Sequence, residues 1–405
     1  MRTRLLAAIG AAAVIAASCG GGSGDDTSAT TPATAPPTTP ATAPPSTEIV
    51  VGPPTTRGPA PEVVVEPLGE LGSISVLSGE PAYRGVLGQV DPDRYVVAPV
   101  ALPPAPAADG IAPLTGLPLP AGVTADHPAI LAKIDNTAKG RPQEALAQAD
   151  LVYEEMIEGG ATRLAAVFHT NAPLLGPVRS GRTTDIALLG SLSEPIFAWS
   201  GANKVHAALL RRQSIVDLGA QSRGEYFRSS SRPGTYNLMV EAQDLRDIAA
   251  AEPAGGVPLP HFEYRNERVG LPTAAKPVPS VAIRFPLTEA AWRWDAAAAG
   301  WARTQGTTEH VDAQGNPVVA RNVVVAEVPE VTTGSIDTAG SPVYEQVFLG
   351  SGRGWVFTDG HVIEVTWTKP SIRSVTTWTT ADNVPVALVP GLTWVELARG
   401  SVTIG

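Results

Sequence analysis

The sequence predicts an α+β, mixed α/β fold: a helix-covered mixed sheet followed by a mostly antiparallel, β-rich C-terminal region. Three observations predict it. From Pro113 to Ala251, short apolar runs alternate with helical windows, the pattern of a mixed sheet covered by helices. Beyond Pro253 the texture changes, and seven of the eight Trp fall between Trp292 and Trp394. There β-branched residues alternate, as in Val362-Ile363-Glu364-Val365-Thr366-Trp367, and turn signals recur at Gly315-Asn316-Pro317, Asp359-Gly360 and Pro390-Gly391.

Taken in order, the chain opens on Arg2 and Arg4, then an apolar run from Leu5 to Ala17 that ends in Ala16-Ala17-Ser18-Cys19-Gly20. The run is too short to span a bilayer as a permanent helix, so residues 1–18 read as a lipoprotein signal peptide and Cys19 as the lipid-bearing residue. The competing reading is an ordinary secretory signal with an incidental Cys, since Ala16 replaces the aliphatic residue preferred there. Residues 19–61 are Gly/Ser-rich and then Thr/Pro/Ala-rich, a tether that at about 3.1 Å per residue reaches roughly 130 Å. Segment 62–112 reads as loosely docked or partly disordered.

The first folded domain, 113–252, places buried strands at Ala129–Ile134, Leu151–Met156, Arg163–His169 and Pro195–Trp199. A helical turn is predicted over Glu144–Ala149, with helices over Arg182–Leu192, Lys204–Arg212 and Glu241–Ala251. The second domain, 277–405, carries the alternating strands, with its Trp side chains read as core.

A net charge of −10 offers no basic footprint, which excludes nucleic acid as a partner. The single Cys excludes an intramolecular disulfide and a Cys-based zinc site. No nucleotide-loop or hydrolase motif occurs, the six His are scattered, and no metal site or cofactor is called for.

Polar residues cluster at strand ends between Lys133 and Gly201, where an open α/β sheet lines its ligand crevice. The candidate ligand-binding residues are Asp135, Asn136, Arg141, Gln143, Arg163, Arg179, Ser180 and Arg182. Arg179 and Arg182 bracket Ser180-Gly181 at a predicted helix start, where N–H groups, helix dipole and guanidinium forks would converge on an anion. The competing reading is structural, with these Arg paired internally to Glu154, Glu155, Glu158 or Asp185. Weak catalytic candidates are Asp135, Glu154 and Glu158, although adjacent Glu154 and Glu155 on a strand must face opposite ways.

These residues also carry a resemblance. Pro113-Leu114-Thr115-Gly116-Leu117, Arg141-Pro142-Gln143, Ala149 to Glu154, Glu158 to Arg163 and Gly176 to Arg182 resemble the YerB-like bacterial lipoprotein family in order and spacing. Asn322-Val323-Val324-Val325, Gly350-Ser351-Gly352, Asp359-Gly360, Trp367 and Pro390 to Trp394 are similar to the family's C-terminal part. The resemblance implies a lipoprotein with an α/β first part and a β-rich second part, and implies no activity. Ser200 and Tyr236 stand where the family pattern carries His, which favours binding over acid/base chemistry.

Three functions follow as expectations. The first is an extracytoplasmic lipoprotein, anchored to the cell membrane through lipid on Cys19, that binds an anionic envelope polymer or lipid through an Arg-rich cleft. The second is an envelope enzyme, a glycan hydrolase or phosphoryl-type transferase, using Asp135, Glu154 and Glu158. The third is an assembly protein for an envelope protein partner, without a small ligand.

Overall fold

The backbone of the molecule is an eleven-stranded mixed sheet to which both halves of the sequence contribute strands. The computed structural model describes residues 109–405, except 222, 252–254, 266–269 and 338–339. The signal peptide, Cys19, the tether and segment 62–112 up to residue 108 lie outside the described residues.

Three strands of the first half form the part of the sheet that matters for the site: β1 (Ile130–Asp135), β2 (Leu151–Met156) and β3 (Thr162–Phe168). Every residue of all three is buried, as expected of strands covered on both faces. β3 lies between β1 and β2 and is antiparallel to both, while β1 pairs in parallel with Ile196–Ala198 on its other side. The outer edge of β2 pairs in parallel with Thr393–Ala398, which in turn pairs in parallel with Asn322–Glu327. The hairpin Gly350–Thr358 and His361–Lys369 continues the sheet beyond that point. Its two-residue turn is Asp359-Gly360, both at positive φ, the geometry that matches strand twist.

Each face of this sheet buries its own apolar layer. On one face, Ile134, Val152, Leu164, Val323, Val325 and Trp394 pack with Val281, Ile283, Trp292 and Trp301 of a six-stranded antiparallel sheet. Helix α3 (Ala242–Ala251) belongs to the same layer through Ala242, Leu245 and Ala249. On the opposite face, Leu131, Tyr153, Val167, Phe197 and Val395 pack with α1 (Asp185–Gly190) and α2 (Lys204–Arg211). Seven Trp are buried and Trp294 is partly buried against the first layer, which agrees with their reading as core.

The strand positions match expectation closely, but α1 begins three residues later than the sequence pattern predicts. The chain before it is held as a turn, with the N–H of Asp185 donating to the Arg182 carbonyl. The Asp185 carboxylate in turn accepts the Arg182 N–H at 2.7 Å. The second half does not form a sheet of its own there: through Thr393–Ala398 it completes the sheet begun by the first half.

Candidate functional site

Directly opposed residues of antiparallel strands share a face, so Asp135 of β1, Arg163 of β3 and Glu155 of β2 project together toward the helices. Lys133, two residues before Asp135, joins them. It is wholly buried and donates to Glu155 and, at 2.7 Å, to Asp185. Burial, followed by the charge of Asp185, pushes the Glu155 carboxyl up to about 7.

Three arginines gather beside Lys133, Glu155 and Asp185. Arg182 forks onto the Glu158 carboxylate through Nε and Nη2, and its Nη1 donates to the Gly181 carbonyl at 2.9 Å. Arg179 brings Nε to 2.9 Å from Asp135 Oδ2, an ion pair without hydrogen-bond alignment. Its Nη1 donates to the Thr235 carbonyl, and its guanidinium lies over the Tyr236 ring at 5.4 Å. Arg163, only 6 % exposed, donates to the Ser180 carbonyl at 2.8 Å and makes no ion pair among the described residues. Burial first, then Arg182 and Arg179, lower its guanidinium to about 9.

The Arg179 to Gly181 segment runs beside Ser200-Gly201, tied by Ser200 N–H to the Arg179 carbonyl and Gly181 N–H to the Gly201 carbonyl. Ser180 Oγ therefore sits 3.3 Å from Ser200 Oγ. Two glycines allow this approach. A Cβ on Gly181 would stand 3.1 Å from Leu210, Phe197 and Trp199, and Gly201 adopts φ +103° against the Gln221 side chain. Ser200 and Tyr236 thus both touch the Arg179-Ser180 segment.

The other face of the same strands holds a separate polar network. Glu154 accepts from Arg303 and, at 3.0 Å, from Asn136. Asn136 also donates to Thr162 Oγ1 at 2.8 Å and Gln305 Oε1 at 3.0 Å, and accepts from Gln143 Nε2 at 3.0 Å. Arg303 is wholly buried against the Trp292 and Trp394 rings, 5.4 and 4.7 Å from their centroids. Its Nη1 donates to His310 Nδ1 at 2.6 Å; guanidinium only donates, so the ring proton lies on Nε2 and goes to Gln143 Oε1. Burial, then Arg303, hold His310 well below the ordinary range. Burial, then Glu154, hold Glu396 well above it.

The predicted residues therefore divide. Asp135, Arg163, Arg179, Ser180 and Arg182 come together on the helix face, with Glu158. Asn136, Gln143 and Glu154 lie buried on the opposite face. Arg141 is half-buried without an ion pair among the described residues, within reach of Arg303, Glu154 and Asp135. Asp135 and Glu154 do not face a common cleft, because the sheet separates them. The helix dipole anticipated beside Arg182 is likewise taken up by Asp185. A cleft of about 170 Å³ bounded by Gly190, Arg212, Ser214 and Arg373 shares no residue with the arginine cluster.

Sequence reasoning missed Lys133 and Arg303, although each carried a signal. Lys133 interrupts the apolar run Ile130 to Ile134, and a buried Lys requires a partner. Arg303 alternates with Trp301 and Gln305 at the inward positions of Gly300–Gln305.

Residues 114–255 match the protein of unknown function (DUF3048) N-terminal domain, and residues 281–395 match the DUF3048 C-terminal domain. The chain belongs to the DUF3048 family. Within it, this chain is 27 % identical over 310 residues to "Putative lipoprotein YerB" of Bacillus subtilis (strain 168), covering 71 % of this chain and 85 % of that protein. The crystal structure of YerB protein from Bacillus subtilis superposes with a TM-score of 0.61 at 22 % identity, over 72 % of this chain and 99 % of that one, which shows a shared fold. In this DUF3048 chain the buried network joins the two family domains, Asn136, Gln143 and Glu154 from the first to Arg303, Gln305 and His310 from the second. The arginine cluster belongs to the first domain alone.

Proposed function

We propose that the protein is a membrane-tethered extracytoplasmic lipoprotein that binds an anionic cell-envelope ligand, a polymer or a lipid, at Arg163, Arg179 and Arg182. Ser180 and Ser200 supply neutral donors beside them. The location rests on the signal-like N-terminus ending at Cys19 and on the lipoprotein name carried by the Bacillus relative.

Arg163 carries the reading. A nearly buried guanidinium costs free energy unless a counter-charge meets it, and among the described residues this one hydrogen-bonds only a backbone carbonyl, with Glu158 and Asp135 nearby but not in direct contact. In the cluster Arg179 pairs with Asp135 and Arg182 with Glu158, while Arg163 makes no direct ion pair among the described residues, so its guanidinium is the one an oxyanion would complement.

The test is thermal unfolding of the full chain, in detergent, with phosphate-bearing and carboxylate-bearing envelope fragments. A ligand at about 100 times its Kd stabilises by about 2.7 kcal/mol. Arg163→Gln is expected to abolish that shift while changing intrinsic stability by no more than about 1–2 kcal/mol. An undiminished shift in Arg163→Gln sinks the reading.

A further inference from the structure

We infer that His206 is a fourth cationic member of this oxyanion site, charging by taking up a proton when the anion binds. The inference rests on the anion-binding reading above.

His206 is 1 % exposed, yet its Nε2 has no hydrogen-bond partner among the described residues. Buried polar atoms in native proteins almost always have one, so an unpartnered ring nitrogen asks what it is for. The residue lies in the first turn of α2, where Asn203 caps the helix by accepting the His206 N–H at 2.9 Å. Leu210 follows one turn later on the same helix face, and its Cδ1 is 3.1 Å from the place a Gly181 Cβ would occupy. The His206-Leu210 stripe therefore faces the segment that carries Ser180 and Arg182. Two charged groups from neighbouring elements act on the ring: Arg182, from the turn before α1, and Glu158, from the turn after β2. Lys204 on its own helix is exposed.

In the free protein, burial first and Arg182 second hold the imidazole near 4, so at neutral pH the ring is uncharged. An oxyanion seated between Arg163 and Arg182 offsets the repulsion from Arg182 and offers an acceptor to Nε2. Both changes favour the imidazolium, and linkage then requires that anion binding strengthen as pH falls.

Sulfate is the probe, because it stays doubly charged from pH 5 to 8, so any pH dependence belongs to the protein. Calorimetric titration of the full chain with sodium sulfate, at pH 5 and pH 7 and in two buffers of different ionisation enthalpy, reads affinity and proton uptake together. The expected result is roughly tenfold weaker binding at pH 7 than at pH 5, with about one proton taken up per sulfate at the lower pH. In His206→Gln and His206→Asn, each compared in a Glu155→Gln background that removes the carboxyl titrating at about 7 beside Arg182, both effects should vanish while sulfate still binds. A flat wild-type profile without proton uptake overturns the inference, as does a pH dependence that survives both variants; the wild-type proton count needs no variant to fold. Failure of sulfate to bind at either pH, or binding that survives Arg163→Gln, removes the anion site itself and His206 with it.

Discussion

Glu154 and Glu155 are neighbours on β2, yet the sheet sends them into surroundings that treat charge differently. Glu154 enters the space between two sheets, where Arg303 commits both terminal nitrogens and lies against two indole rings. Glu155 enters the space under α1, where one lysine serves two carboxylates and its own Oε2 finds no donor. Near it, Arg163 makes no direct ion pair among the described residues and donates to a backbone carbonyl. One face spends its charges on joining the two family domains; the other leaves one guanidinium without a direct ion pair.

The comparison breaks most visibly at Arg303. Arg303→Ala leaves the buried Glu154 carboxylate without its counter-charge, and a loss of about 3–5 kcal/mol, or outright failure to fold, is expected in denaturant unfolding. A loss below about 1 kcal/mol would show that apolar packing between the sheets needs no help from the network.

Glu155 sharpens it at intermediate size. Its carboxyl, raised to about 7 in the folded state, binds a proton that the unfolded chain releases near the ordinary 4.3, so its contribution to stability falls as pH rises through that window. His169, His206 and His261, each lowered to about 4, act oppositely and favour folding as pH rises toward 6.5. Comparing wild type with Glu155→Gln cancels the histidines. The stability of wild type relative to the variant should decline from pH 4.5 to pH 7 and level off above it.

The smallest effect belongs to a pair that neither face buries. Arg284 is 71 % exposed and meets Glu289 at 3.2 Å across the hairpin end of two adjacent strands of the second sheet. Arg284→Ala should cost less than about 1 kcal/mol in the same unfolding measurement, the background against which the buried arginines are to be judged.

The strands were legible because Leu151–Met156 and its neighbours are apolar runs bounded by turns, which is a local signal. The meeting of the arginines with Ser180 was largely legible too, since Gly176 to Arg182 is contiguous. What could not be read is which face each polar residue would serve. That depends on the pairing of β2 with Thr393–Ala398, which carries Trp394 and Glu396 to Arg303, and no local pattern encodes such a contact. Asn136 and Asp135 illustrate the result: adjacent in sequence, they face opposite layers and answer to different halves of the chain.

That same pairing has a consequence for how the chain is made. Proteins emerge from the ribosome in order, and the outer edge of β2 leaves it about 240 residues ahead of the strand that will cover it. Until Thr393–Ala398 arrives, β2 presents unpaired N–H and C=O groups along an apolar strand, the kind of edge that invites association with other chains. Until the second half of the sheet is made, that edge is the stretch of this fold most open to pairing with another chain.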